Sequence, residues 1–213
     1  MVNVVTPHKN TRRISYFLVK RIIDIIGSIF ILILLSPMYL LIVLIIYFHS
    51  GRPILYPWKI IGFKGKPLTS WKFRTMVLDA DTHKQGLINK NEMRGPVFKI
   101  KNDPRITQEG KLFRKYSMDE SIQLISILKG DMSLVGPRPP LQTEWKNFND
   151  EYKQKVSVKP GLTGLWQVSG RNRINDFDDI IAVDKNYIEN WTLWLDIKIL
   201  FKTIPAVFRG TGY

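Results

Sequence analysis

The chain has 213 residues, no cysteine and a formal net charge of +14. That length suits one domain, or one domain plus an anchor, and 45% hydrophobic with 23% charged residues excludes the disordered and collagen-like classes. The missing cysteines exclude disulfide frameworks, Cys-ligated zinc, thiolate catalysis and iron–sulfur clusters, and the scattered His8, His49 and His83 give no metal-ligand or Ser-His-Asp spacing.

The positive charge calls for an anionic partner: nucleic acid, an anionic membrane surface or a phosphate-bearing substrate. It is unevenly placed. Residues 1–21 carry +5, residues 22–48 carry −1 and residues 49–118 carry +10, whereas residues 119–151 carry −3. The basic segments therefore flank an apolar one. From Ile25 to Phe48 run 24 residues without a charge. As a straight helix this run would be about 36 Å long, enough to cross a hydrocarbon core of about 30 Å. It is too long for a signal peptide and too apolar for a soluble helix in a chain this small.

Ser36-Pro37 sits in the middle of that run, where proline removes a backbone hydrogen bond and bends or breaks a helix. Lys9, Arg12, Arg13, Lys20 and Arg21 precede the run, and Arg52, Lys59, Lys64 and Lys66 follow it. Both flanks obey the positive-inside rule only if the segment enters and leaves on one face. Proline is also common in spanning helices. The residues alone leave a kinked span and a re-entrant anchor both open.

Residues 51–76 read as strands and turns, ending in Ser70-Trp71-Lys72-Phe73-Arg74-Thr75-Met76, where alternation puts Lys72 and Arg74 on one face. That face is either solvated or a phosphate clamp. Residues 79–93 are polar, helical or loop. Val97 to Lys101 reads as a short strand, followed by the Asn102-Asp103-Pro104-Arg105 turn. Ser117-Met118-Asp119-Glu120 reads as a capping box, with Ser117 at N-cap, Glu120 at N3, a helix to about Lys129 and Gly130 as its stop. The helix dipole would then keep Asp119 ionised, and Arg114 lies five residues upstream. The pair either caps the helix or, with that arginine, performs phosphoryl transfer. Arg138 stands among Pro137, Pro139 and Pro140, which make either a plain connector or a rigid mount for a guanidinium. Gln142 to Val156 reads as a helix, Leu162 to Val168 as a strand, and Asp176 opens a helix holding Asp184. From Trp191 to Phe208, tryptophans beside apolar stripes and lysines fit an interfacial amphipathic helix or a core helix.

Taken in order, Lys20-Arg21…Asp24, Ser36-Pro37, Lys72 to Met76, Gly95 to Lys99, Asn102 to Arg105, Asp119-Glu120, Asp131 to Pro140 and Lys159 to Gly170 resemble the bacterial sugar transferase family, the monotopic phosphoglycosyl transferases. The resemblance covers about residues 18 to 213 and is specific as a set. It implies transfer of a sugar 1-phosphate from a UDP-sugar to undecaprenyl phosphate, the first membrane step of exopolysaccharide, capsule, lipopolysaccharide O-antigen or glycoprotein glycan assembly. It implies Asp119 as nucleophile with Glu120 as its partner, both near Mg2+. It places Lys72, Arg74, Arg114, Arg138 and Asp184 at substrate-binding positions.

The implied fold is α+β and mostly helical, with a re-entrant membrane helix broken at Ser36-Pro37, a small β-sheet and amphipathic interfacial helices. The implied organisation is a basic cytoplasmic N-terminus (1–21), an anchor (22–48) and a catalytic domain (49–213) on the cytoplasmic face of the bacterial inner membrane. Partners are the UDP-sugar, undecaprenyl phosphate and the bilayer, with no nucleic acid; self-association stays open. Larger members carry a further N-terminal membrane region, so this chain resembles the catalytic module alone. Two departures stand out. Ser121-Ile122 replaces the usual Leu-Pro after the dyad, and Ile60 stands where an arginine usually precedes Val-Gly. The rival classes are a membrane-tethered basic protein binding nucleic acid or anionic lipid, and an inactive scaffold of the same fold.

Overall fold

The computed structural model describes residues 13–170 and 174–210. Lys9 and Arg12, part of the basic flank, lie outside the described residues. The fold is mostly helical, with two small sheets.

Helix α1 (Arg13–Ser50) contains Pro37 and is long and apolar enough to cross a membrane. The helix is not interrupted at the expected break, Ser36-Pro37: it continues on both sides, so a turn of the anchor there is a bend within the helix. The local reason is a substitute donor. Proline at 37 cannot donate to the Ile33 carbonyl, and Ser36 Oγ donates to that same carbonyl at 2.8 Å. Most of the helix surface is apolar and exposed, including Ile26, Phe30, Ile33, Leu34, Leu40 and Leu41.

Both halves of α1 pack on the rest of the chain. In the first half, Lys20 Nζ donates to Asp196 Oδ2 (2.5 Å) and to the Val135 carbonyl (3.1 Å). Arg21 donates to the carbonyls of Ile127 (2.6 Å) and Leu128 (2.7 Å), a cation at a helix C-terminus. Buried Asp24 accepts from Ser133 Oγ (3.0 Å) and the Leu134 amide (2.9 Å). In the second half, Ile42 and Ile46 are buried with Phe73 and Phe113, and Ser50 Oγ donates to Glu109.

Strands β1 (Leu55–Ile61) and β2 (Pro67–Phe73), within the stretch read as strands and turns, form an antiparallel pair, with Trp58 opposite Ser70 and Tyr56 opposite Lys72. Trp58, Ile60, Ser70 and Lys72 therefore share the face turned to the interior. Helix α2 (Ala80–His83) and a 3-10 stretch (Gln85–Lys90) follow. Val97 to Lys101 is not a strand. The Asn91 amide takes its hydrogen bonds instead, donating to the Met93 and Val97 carbonyls and accepting from the Lys99 amide.

Helix α3 (Gln108–Lys115) is capped by Thr107. Met118–Gln123 is a 3-10 helix, continued by α4 (Leu124–Lys129), which ends at Gly130 with φ 92° as expected. The capping box is overturned. Ser117 is left-handed (φ 56°), whereas an N-cap is extended, and the Glu120 carboxylate is engaged elsewhere.

Strand β3 (Ser133–Val135) pairs in parallel with β4 (Gly161–Thr163). The expected helix over Gln142 to Val156 is three pieces: α5 (Gln142–Trp145), α6 (Asp150–Lys153) and a 3-10 turn (Gln154–Ser157). Asn149 interrupts it by starting α6, its side chain accepting from the Tyr152 amide at 2.8 Å. The expected strand stops at Thr163, and Leu165–Val168 is helical (α7). Helix α8 (Phe177–Glu189) starts at Asp176 as predicted, and α9 (Leu193–Phe208) ends the described chain.

The main core gathers Trp58, Ile60, Leu124, Ile127, Met132, Leu134, Val135, Tyr187, Ile188 and Ile199. The backbones of β3 and β4 nearly touch: a Cβ on Gly161 would lie 2.1 Å from the Gly136 amide nitrogen. Only glycine permits that approach, and it fixes where the next residues, Pro137 to Pro140, leave the sheet.

Candidate active site

Four elements bring one constellation together. Lys72 comes from β2, Trp58 from β1, Asp119 and Glu120 from the 3-10 turn, and Arg138 from the proline-rich loop. That loop is the rigid mount the prolines suggest. The Gly161 amide donates to the Pro137 carbonyl (3.0 Å), and the Ile61 amide donates to the Pro140 carbonyl (3.0 Å). Arg138 is thus held at both ends of a segment that cannot flex at its prolines.

Glu120 is the hub. Its Oε1 accepts from Lys72 Nζ (2.7 Å) and Arg138 Nη2 (2.7 Å), and its Oε2 accepts from Arg138 Nη1 (2.9 Å). The arginine grip is bidentate. Trp58 floors the pair: Lys72 Nζ lies 3.5 Å and the Arg138 guanidinium carbon 5.3 Å from its ring centroid. Burial alone would raise the Glu120 carboxyl, but Arg138 and Lys72 pull it well below the usual range.

Asp119 behaves oppositely. It is buried and accepts no hydrogen bond from a described residue. Burial first, then the Glu120 charge, push its carboxyl up to about 6. The expectation that a helix dipole keeps it fully ionised is therefore corrected: desolvation outweighs the end of one short 3-10 turn. Lys72 moves the other way. Burial, helped by Arg138 and opposed by Glu120, brings it down to about 8. Two adjacent carboxylates thus hold different protonation ranges, as an acid–base site requires.

A cavity of about 420 Å3 opens over these groups, in the usual range for small-molecule sites. Arg114 lines it, its Nε anchored on Thr75 Oγ1 at 2.8 Å, and burial lowers its basicity. Arg74 also lines it but does not pair with Lys72 on a strand face. It follows the end of β2, and its Nη2 donates to the Ser50 and Gly51 carbonyls, both at 2.6 Å, at the C-terminus of α1. Arg74 thereby ties the membrane-type helix to the site. Asp184 is buried behind the cavity wall, 3.2 Å from Lys155 Nζ; Lys155, not Asp184, faces the cavity.

For a divalent cation the donor set is uneven. Both Glu120 oxygens are bound by Lys72 and Arg138, so Glu120 does not fit as a ligand in this arrangement. Asp119 does fit. No group of three His, Asp or Glu gathers among the described residues. An ion here would take one carboxylate and oxygens brought by the substrate, a common arrangement for Mg2+.

Sequence reasoning missed Trp58, Arg105, Glu144 and Lys155. Arg105 is buried, forks onto Asp103 (Nη2–Oδ2 2.6 Å) and lines the cavity. Its Asn-Asp-Pro-Arg turn was legible as a turn, not as a buried ion pair. Trp58 joins the face of Lys72 only through the β1–β2 register, which no local pattern shows.

Residues 15–210 match the sequence model of the family described as "Bacterial sugar transferase". Over 210 residues the chain is 42% identical to "Galactosyl transferase CpsE" of Streptococcus agalactiae, covering 99% of this chain and 46% of that protein. It is 46% identical to "Undecaprenyl-phosphate galactose phosphotransferase" of Salmonella typhimurium, covering 94% and 42%. It is 40% identical to "Exopolysaccharide production protein ExoY" of Sinorhizobium fredii, covering 91% and 87%. The chain thus spans less than half of the first two relatives and most of the third.

Proposed function

Because this chain belongs to the bacterial sugar transferase family, we propose that it transfers a sugar 1-phosphate from a UDP-sugar to undecaprenyl phosphate, releasing UMP. The carrying observation is Asp119: a buried carboxylate with no hydrogen-bond donor among the described residues, set in a basic cavity beside a carboxylate that is fully paired. Its relatives' names speak of galactose and glucose phosphate transfer to undecaprenyl phosphate and of exopolysaccharide production.

Asp119 attacks the β-phosphorus of the UDP-sugar. An Asp119 Oδ–P bond forms, the P–O bond to the UMP phosphate breaks, and UMP leaves with the electron pair. An oxygen of undecaprenyl phosphate then attacks the same phosphorus, giving the lipid diphosphate sugar and free Asp119. Lys72, Arg114 and Arg138 hold the phosphate oxygens, and Glu120 keeps Lys72 and Arg138 aligned. Asp119 would hold Mg2+, which would supply positive charge against that of the substrate's phosphates. Asp184 acts from behind, by holding Lys155.

The test is a lipid-free burst. UDP-sugar alone should release one UMP per enzyme and leave β-phosphate label on the protein, which undecaprenyl phosphate then removes. UMP appearing only when both substrates are present, with no labelled protein, would reduce Asp119 to a base or ligand.

The profile of kcat/KM against pH should be a bell. Asp119 must be ionised to attack, so the rate climbs as pH rises through about 6. Lys72 must be charged to hold phosphate, so the rate falls as pH rises through about 8. A profile flat across pH 5 to 9 would remove both groups from the reaction.

We place the body on the cytoplasmic face of the inner membrane, with 1–21 as the basic cytoplasmic N-terminus, 22–48 as the anchor and 49–213 as the catalytic domain. What supports a re-entrant anchor is that Lys20 to Asp24 and Ile42 to Ser50 pack on one polar body. A body with a charged cavity stays out of hydrocarbon, so both contacted ends share a side. Exposed Trp194, Phe201, Ile204 and Phe208 on α9 suit the headgroup boundary. The chain has no native cysteine, so labelling is direct. Single cysteines at positions 5 and 65 should both resist an impermeant periplasmic reagent; labelling at 5 but not 65 would establish a straight span.

A further inference from the structure

Besides the phosphate-binding groups, the cavity is lined by residues of a different chemistry. Phe148, Trp166 and Phe177 wall it, with Phe148 and Phe177 centroids 5.2 Å apart. Glu144 and Lys155 supply its polar groups. Glu144 Oε2 accepts from the Leu141 amide (2.9 Å), while its Oε1 accepts from no described residue. Lys155 is 6% exposed, and its ammonium lies 3.2 Å from Asp184 Oδ2 and 5.3 Å from the Phe177 centroid. That leaves it donors to spare. The Trp166 indole N–H is buried and meets no acceptor among the described residues. A buried donor without a partner is costly and calls for one.

The balance of charge defines the ligand. Asp184 offsets Lys155, and Glu144 adds a carboxylate that lies in the field of Lys84 and Arg138 as well, so this part of the cavity carries balanced charge. It offers carboxylate acceptors, ammonium and indole donors, and flat apolar rings. A neutral ring bearing several hydroxyls matches all three.

Connectivity defines the place. In a nucleotide diphosphate sugar the hexose hangs by one oxygen from the attacked phosphorus, while the nucleoside lies one phosphate further away. Pro139, Pro140 and Leu141 form a continuous wall from Arg138, which grips Glu120, to Glu144.

We propose that Glu144, Lys155 and Trp166 form the subsite for the hexose ring of the nucleotide sugar, reading its hydroxyls and thereby setting which sugar is transferred. This rests on the proposed sugar-phosphate transfer and adds a specificity site to it.

The test uses the full chain in detergent, with UDP-galactose, UDP-glucose, their single-deoxy analogues, and UDP alone. Glu144→Gln retains an oxygen for the Leu141 amide. It should lower kcat/KM for the preferred UDP-hexose by about a hundredfold, since a site built to bond a hydroxyl discriminates strongly. Trp166→Phe should lower it by about tenfold, having lost one N–H donor. The affinity for UDP, which lacks the hexose, should change less than about twofold in both variants. For one deoxy analogue the losses should not add: wild type loses activity on it, and Glu144→Gln loses little more. Strictly additive losses on every analogue, or an equal fall in UDP affinity, would overturn the subsite. Should Glu144→Gln not fold by circular dichroism, the same comparison on Trp166→Phe decides. Wild type that releases UMP from some UDP-hexose, with variants blind to the hydroxyls, would sink the subsite alone. Wild type that releases UMP from no UDP-hexose would sink the transfer reaction beneath it.

Discussion

Asp119→Asn should abolish sugar-phosphate transfer, by about a thousandfold or more, because an uncharged amide cannot take the phosphoryl group and the step has no substitute nucleophile. The variant should nevertheless fold. Asp119 accepts no hydrogen bond from a described residue, so the amide breaks no contact seen there. Its folded carboxyl is raised to about 6 by burial and by Glu120, above the ordinary 3.8. A raised carboxyl favours the folded state while protonated and loses that benefit as pH climbs through the folded value. Asparagine stays neutral throughout. The melting temperature of the variant should therefore match wild type near pH 4 and equal or exceed it above pH 7. A variant that retains more than a few per cent of turnover shows that Asp119 is not the nucleophile. A variant that melts far below wild type at every pH shows a structural role instead. Strain of this kind, held for chemistry and relieved by its loss, is how active sites trade stability for function.

Much of this site could be read from residue order, and the reasons for the failures are physical. The alternation around Lys72 identified a strand, because a two-residue period is local, but it left open whether the lysine face was solvated or turned to the site. Arg74 lay just past that strand, and nothing local shows that the end of α1 would claim its guanidinium. The prolines around Arg138 specify rigidity on their own, and the structure adds the Gly136–Gly161 approach that aims it. The segment from Ser117 to Glu120 has every mark of a capping box. It fails because Lys72 and Arg138, 48 and 18 residues from Glu120 in the chain, bind that carboxylate more strongly than a backbone amide would. Long-range ion pairs of this kind leave no trace in a window of four residues. The break at Ser36-Pro37 was read from proline alone, whereas the hydroxyl beside it supplies a donor to the carbonyl that proline abandons.

The anchor and the site share parts. Arg74 lines the cavity and holds the C-terminus of α1, while Asp24, Lys20 and Arg21 hold its first half through β3, α4 and α9. Glu109 takes Ser50 on the next surface. A change in how α1 sits therefore reaches the cavity through packed, charged contacts rather than through a loop, which suits the proposed reaction, in which a soluble anion and a lipid phosphate meet at one point.

Glu120→Gln tests whether the dyad is two carboxylates in two roles or one shared pair. Its carboxylate sits between two partly buried cations and offsets their charge, and the amide cannot. Lys72 and Arg138 would face each other with only Asp119 left between their charges, and because both are partly exposed the cost falls below the roughly 3–5 kcal/mol of a fully buried pair. The folded protein should be destabilised, in contrast to Asp119→Asn. Transfer should fall at least about a hundredfold, because the cations that grip the substrate phosphates lose their alignment. The residual activity carries the sharper information. The Glu120 charge raises the Asp119 carboxyl and supports the Lys72 ammonium. Without it, Asp119 ionises more easily and Lys72 loses its proton more easily. Both limbs of the bell should therefore move to lower pH, the acid limb below about 6 and the alkaline limb below about 8. A loss of activity with both limbs unmoved would mean that Glu120 is electrically remote from the reacting groups. That outcome contradicts the 2.7 Å contact to Lys72 on which the arrangement depends.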